Sequence, residues 1–102
     1  MLDLTTLQKR YFEVKLTFRK TEMVLYLLPP KLKTLKRLMN VVGGGREADE
    51  MIAITSEILS HNKTGFAITE DMIGDSLTIE ELTLLLKMYF MWVKEAEQDP
   101  NA

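Results

Sequence analysis

The sequence contains no cysteine and only one histidine among its 102 residues. Without cysteine there is no disulfide, no zinc–thiolate site and no thiol nucleophile. The one histidine, His61, lies in SHNKTG, where a helix is predicted to end, and this position is typical of a capping or surface residue. No histidine pair and no calcium loop of alternating acids is present. The sequence therefore predicts a protein that is not an enzyme and that uses no metal and no cofactor.

Long apolar runs are also scarce. The most apolar segment is Leu82–Val93, in which only Thr83 and Lys87 among twelve residues are not apolar. A membrane-spanning helix needs about 20 apolar residues. The N-terminus has no basic segment followed by an apolar one, as a secretory signal would. We therefore expect a soluble protein that does not associate with a membrane.

The first half of the chain has few acidic residues, and the second half has few basic ones. Residues 1–46 carry ten Lys or Arg against three acidic residues, a balance of +7. Residues 47–102 carry three Lys against twelve acidic residues, a balance of −9, which leaves the net charge of −2. This asymmetry indicates either nucleic-acid contact by the basic half or attraction between the halves, within one chain or between subunits. The second is favoured, because the basic residues alternate with core-facing ones.

Two segments near the N-terminus have the period-two pattern of strands. The apolar residues that share a face are Phe12, Val14, Leu16 and Phe18 in the first segment, and Met23, Leu25 and Leu27 in the second. RKTE connects them without the Asn-Gly signal of a tight turn. The pattern predicts a β-hairpin over about residues 9–28. An isolated hairpin is marginal in water, so helices must cover its apolar face.

Helical periodicity follows Pro29-Pro30. The predicted helices span about residues 30–42, 46–61, 70–74 and 78–97. The first is expected to bury Leu32, Leu35, Leu38, Met39 and Val42. Asn62 is expected to cap the second, and Phe66 and Ile68 to reach the core. Thr78 and Glu81 form a capping box for the last. The predicted fold is a single α+β domain over 1–102, an N-terminal β-hairpin packed against about three main helices plus a short helical turn.

The last helix is apolar on more than one face. At 100° per residue, one stripe contains Leu82, Leu85, Leu86, Tyr89 and Val93. Leu84, Met88 and Met91 fall on the opposite side, with Trp92 at the edge. Either this helix is central and wrapped on every side, or its second face contacts another protein or another copy. We assign Leu84, Met88, Met91 and Trp92 as the candidate partner-binding residues.

Several segments together carry a family resemblance. They are YFEVKL, PPKLKTLKRL, EILSHNKTG and ITEDMIGDSLTIEELTLLLKMYFMWV, within about residues 11–93. In this order they resemble the small tail assembly chaperones of long-tailed bacteriophages and prophages. The motifs are loose, and they contain no catalytic signature.

The resemblance implies a function. Chaperones of this family act in the cytoplasm of the host bacterium, where they bind the hydrophobic tape measure protein and help the tail tube protein polymerise around it. They do not enter the virion, and some assemble into rings or filaments, so we expect this chain to form a homo-oligomer. The resemblance transfers no proven site residue, so the candidate residues remain those of the last helix.

Two other functions fit the sequence. One is a structural tail-completion or connector protein, which would also self-associate. The other is a small DNA-binding regulator that uses the basic helix segment 31–37 to neutralise phosphates. The chain lacks helix-turn-helix spacing and a cluster of side chains suited to base edges, so nucleic-acid binding is the least favoured.

Overall fold

The computed structural model describes residues 1–4, 10–44 and 47–98, the last three of them by their backbone alone. Two strands are followed by four helices: β1 (Phe12–Phe18), β2 (Thr21–Leu27), α1 (Leu32–Val42), α2 (Ala48–Ser60), α3 (Glu70–Ser76) and α4 (Ile79–Gln98). A two-stranded hairpin followed by helices confirms the predicted α+β fold. The predicted boundaries at residues 9 and 46 lie outside the described residues.

The hairpin buries one face, as the period-two pattern predicts. β1 and β2 pair antiparallel, with Val14 opposite Leu25 and Phe12 opposite Leu27. The buried residues of this inner face are Val14, Phe18, Leu25 and Leu27. Phe12 is half-buried. The helices cover this face and supply the remaining core.

The connection between the strands is shorter than predicted. Phe18 pairs with Thr21, so the turn consists of Arg19 and Lys20 alone. Both have positive φ, 48° and 66°, which is the geometry of a type I′ turn. This turn matches the right-handed twist of the flanking strands, although neither residue is the glycine or asparagine that favours it.

The buried face of α1 differs from the prediction. Its buried residues are Thr34, Leu38 and Val41, with Leu35 and Val42 half-buried. Leu32 and Met39, predicted to be core, are 84% and 52% exposed. Thr34 faces inward because its hydroxyl donates a hydrogen bond of 2.6 Å to Glu57 Oε1 on α2. The spacing of apolar residues in the sequence cannot predict such a polar contact.

Asn62 organises the loop after α2. Its side-chain amide donates to the carbonyls of Leu59 at 2.8 Å and Phe66 at 2.7 Å, and its Oδ1 accepts from the Phe66 N–H at 3.0 Å. The C-cap residue of α2 is His61, one position before the predicted Asn62, but the Asn62 side chain does bond a carbonyl of the last turn of α2. Ile68 is buried as predicted, but Phe66 is 47% exposed, which corrects its assignment to the core. In the part of the chain that the structure describes, no helix is both long and apolar enough to cross a membrane.

Candidate functional site

The start of α4 sets which residues point outward. The Thr78 N–H donates to Glu81 Oε1 at 2.9 Å, and the Glu81 N–H donates to Thr78 Oγ1 at 3.1 Å. This confirms the predicted capping box. Leu82, Leu86 and Tyr89 then lie buried against the core, at 3%, 2% and 0% exposure. The opposite side of α4 is therefore turned away from the domain.

Three apolar residues lie on that opposite side. Leu84, Met88 and Met91 are 61%, 45% and 49% exposed. Their spacing of four and three residues places them one above the other on one face of the helix. We call these three residues the exposed row. The described part of the chain therefore does not wrap the helix on this face.

Trp92, the fourth candidate residue, lies apart from the exposed row. It is half-buried, and its ring centroid is 5.7 Å from that of Phe12 and 5.6 Å from that of Tyr89. The guanidinium of Arg10 lies 4.5 Å from the Trp92 ring centroid, and Arg10 Nη2 donates to the Trp92 carbonyl at 3.0 Å. No local pattern predicts the Arg10 contact, because the two residues are 82 positions apart. Trp92 thus joins α4 to the hairpin.

Tyr89 fixes α4 at the same place. Its ring meets that of Phe12 edge-on at a centroid distance of 5.7 Å, and its hydroxyl donates to the Leu28 carbonyl at 2.7 Å. Burial raises the pKa of the Tyr89 phenol, because the phenolate would lose its hydration. The ring, the hydroxyl and Trp92 hold α4 in one orientation, so the direction of the exposed row is fixed.

Charged side chains border the exposed row. Glu80 and Glu81 are exposed at the start of α4, and Lys87 and Lys94 are exposed further along it. Lys94 Nζ lies 5.5 Å from the ring centroid of Phe90. An apolar strip with a charged rim is the usual arrangement of a protein contact surface.

A groove runs along the Thr83 and Lys87 side of α4. It has a volume of about 220 Å³ and lies between α1, α2 and α4. Its lining residues are Val41, Val42, Met51, Thr83, Leu86 and Lys87. Around α4, Thr83 and Lys87 lie between the buried stripe and the exposed row, so the groove borders the exposed row.

The basic helix α1 is partly engaged within the chain. Lys31, Lys33 and Lys36 are exposed, whereas Arg37 forms an ion pair with Glu57 of the acidic half. A second such pair joins Arg19 to Asp75 at 3.5 Å. The two halves of opposite charge therefore meet within one chain, as one of the two sequence interpretations proposes.

His61 is half-buried beside a cleft of about 300 Å³ between α1 and α2, which Lys31 and Glu57 also line. Among the described residues, no group of three or more His, Asp or Glu side chains is placed to hold a metal ion. No protein family model, curated protein sequence or solved structure matches the chain. The exposed row therefore stands as the candidate site on its geometry, as a surface for non-covalent binding.

Proposed function

We propose that the protein is a tail assembly chaperone of a long-tailed bacteriophage or prophage. In this role it binds the tape measure protein in the host bacterial cytoplasm, keeps it from aggregating, and releases it as the tail tube assembles, without entering the virion. The observation that carries the proposal is the exposed row on α4. It adds to the sequence resemblance, which covers about residues 11–93.

The chemistry of the exposed row suits such a client. Full burial of a Leu or Met side chain is worth about 1.5–3 kcal/mol, and these half-exposed residues would gain roughly half of that each. Residues at this spacing pack well against an amphipathic helix, which presents its own apolar residues at the same intervals. Methionine adapts to irregular partners, because its side chain is flexible and polarisable. Weak adaptable contacts are what a chaperone needs to hold and then release a long client.

The test is co-expression with the tape measure protein encoded in the same genome. The wild-type chain should keep the client in the soluble fraction and co-purify with it. Met88→Glu combined with Met91→Glu should leave the client insoluble, because two carboxylates would have to lose water at the contact. Met39→Glu is the matched control, since Met39 is a helical methionine with 52% exposure outside the exposed row.

Three outcomes would contradict the proposal. If the double variant unfolds, its residues are part of the core. If the variant binds the client like wild type, the exposed row is not the client site. If purified tails contain the chain stoichiometrically, the protein is a structural tail component instead.

A further inference from the structure

The C-terminal end of the outer edge of β2 is occupied by the chain itself. The Tyr26 carbonyl accepts from the Lys63 N–H at 2.9 Å, and the Leu28 N–H donates to the His61 carbonyl at 2.9 Å. The loop after α2 therefore lies along this strand as a short third segment. The other edge of the hairpin is that of β1.

The free edge of β1 can be located from the register. In an antiparallel pair, residues that direct their N–H and C=O toward the partner strand alternate with residues that direct them away. Tyr26 directs its carbonyl away from β1, so Glu13, its partner in the register, directs its backbone groups away from β2. Lys15 and Thr17 do the same, two and four residues further on. Within residues 1–4, 10–44 and 47–98, none of these three has a backbone partner on that edge.

We propose that two copies of the chain pair along β1, antiparallel, with Val14 opposite Val14 at the two-fold axis. This register places Glu13 of each copy opposite Lys15 of the other, and both residues direct their backbone groups to the new pair. Sliding each strand to the next allowed register centres the pair on Glu13 or on Lys15. Either shift sets like charges directly opposite each other, which is destabilising. Of these three registers, the side chains therefore favour the one centred on Val14.

The charges on this edge are arranged for such a partner. Lys15 Nζ lies 3.0 Å from Glu22 Oε1, and both side chains are largely exposed. Glu13 is exposed and has no ion-pair partner among the described residues. A second copy would bring its Lys15 to Glu13. The result is an alternating row of carboxylates and ammonium groups across the outer face of both hairpins.

The inner face of the strand is also complementary. Phe12 and Leu16 are half-buried, and the same register puts each opposite the other residue of the second copy. Aromatic and aliphatic cross-strand pairs of this kind are stabilising. Pairing the two hairpins would give a continuous four-stranded sheet, which is more stable than a two-stranded one. This inference uses no residue of the exposed row, so it does not depend on the proposed chaperone function.

The test is a charge-swap experiment on the full chain, read by sedimentation velocity. Glu13→Lys alone and Lys15→Glu alone should each weaken self-association about tenfold or more, because each turns two opposite-charge pairs into like-charge pairs. An equimolar mixture of the two variants should restore association to within about threefold of wild type, because every pair is then complementary again. Loss of the Lys15–Glu22 ion pair within one copy is not restored by mixing, which separates the two effects.

The results that overturn the proposal are specific. A wild-type chain that stays monomeric at about 100 µM has no such interface, because its association would then be weaker than about 5 kcal/mol. Variants that fold, by circular dichroism, but associate as wild type place the contact elsewhere. A mixture that does not recover shows that the charges of positions 13 and 15 do not face each other.

A cross-link checks the register independently. Residues opposite each other in a non-hydrogen-bonded antiparallel pair have Cα atoms about 4.5 Å apart, within disulfide range. The chain has no native cysteine, so Val14→Cys should give a disulfide-linked dimer on mild oxidation. Thr17→Cys is the matched control on the same edge, and it should cross-link at least about tenfold more slowly because the two Thr17 positions lie about six residues apart across the pair. Equal cross-linking of both variants would contradict the register.

Discussion

Tyr89 connects α4 to the hairpin through both its ring and its hydroxyl. The ring is completely buried, and the hydroxyl donates to the Leu28 carbonyl at 2.7 Å, just beyond the end of β2. The helical stripe predicts that Tyr89 is in the core. It does not predict the partner of the hydroxyl, because Leu28 is 61 positions away in the chain.

We predict that Tyr89→Phe destabilises the protein although it retains the ring. The Leu28 carbonyl would lose a partner in a half-buried place, at a cost of about 1–2 kcal/mol. Urea unfolding followed by the fluorescence of Trp92, the single tryptophan, measures this directly. An unchanged unfolding midpoint would show that water replaces the hydroxyl without cost.

Tyr89→Phe also tests how the ionisation of Tyr89 makes the stability of the protein depend on pH. Burial raises the pKa of Tyr89 in the folded chain, whereas a tyrosine in the unfolded chain ionises near pH ~10. The unfolded state therefore releases a proton above about pH 10 that the folded state keeps, and stability falls as pH rises beyond that value. Below about pH 10 this group contributes no slope. The wild type should lose more stability than Tyr89→Phe between pH 9 and pH 11, and equal losses would place the dependence on other groups.

The hairpin turn holds its two residues in an unfavourable backbone conformation. Arg19 and Lys20 both have positive φ, a conformation that costs about 1 kcal/mol or more for residues with a Cβ atom. The strands are strongly patterned and the sequence predicts them well. The turn is not predictable in length, because RKTE lacks the residues that normally specify a two-residue connection.

Replacing the turn by Asn-Gly is expected to stabilise the protein. Arg19→Asn with Lys20→Gly relieves the positive-φ cost at both positions and should raise the free energy of unfolding by about 1 kcal/mol or more. The change also removes the Arg19–Asp75 ion pair, which is exposed and worth little. Asp75→Asn is the control that measures that pair alone. If the turn variant is less stable than this control, the native turn carries a contact beyond the ion pair.

The helices differ in how well periodicity predicts them. α4 is a 20-residue element, so its inward and outward faces separate clearly, and the prediction of Leu84, Met88 and Met91 as an outward face agrees with their exposure. α1 has 11 residues, and one polar contact between Thr34 and Glu57 is enough to rotate its buried face. Periodicity also fails to predict the position of Trp92, because Trp92 contacts Arg10 and Phe12, which are far away in the sequence.

On the scale of the whole molecule, two surfaces of different chemistry are open. The exposed row is apolar and flexible, and it does not require a partner to bind in one fixed alignment. These properties suit a client of varied shape. The edge of β1 offers backbone groups and alternating charges, which suit one partner in one register. A molecule that assembles through β1 would keep the exposed row of each copy available, so binding of a client and self-association would not compete.

If the two surfaces are separate, variants of each surface should differ in how their urea midpoint depends on protein concentration. If two folded copies associate and unfolded chains do not, the urea midpoint rises with protein concentration, and each tenfold increase adds about 1.4 kcal/mol per dimer. The wild type and the Met88→Glu, Met91→Glu double variant should both show this dependence, whereas Glu13→Lys should show it only at protein concentrations about tenfold or more higher. The opposite result, a flat midpoint for the methionine variant and a rising one for Glu13→Lys, would identify the exposed row as the self-association surface. In that case a client and a second copy would compete for α4.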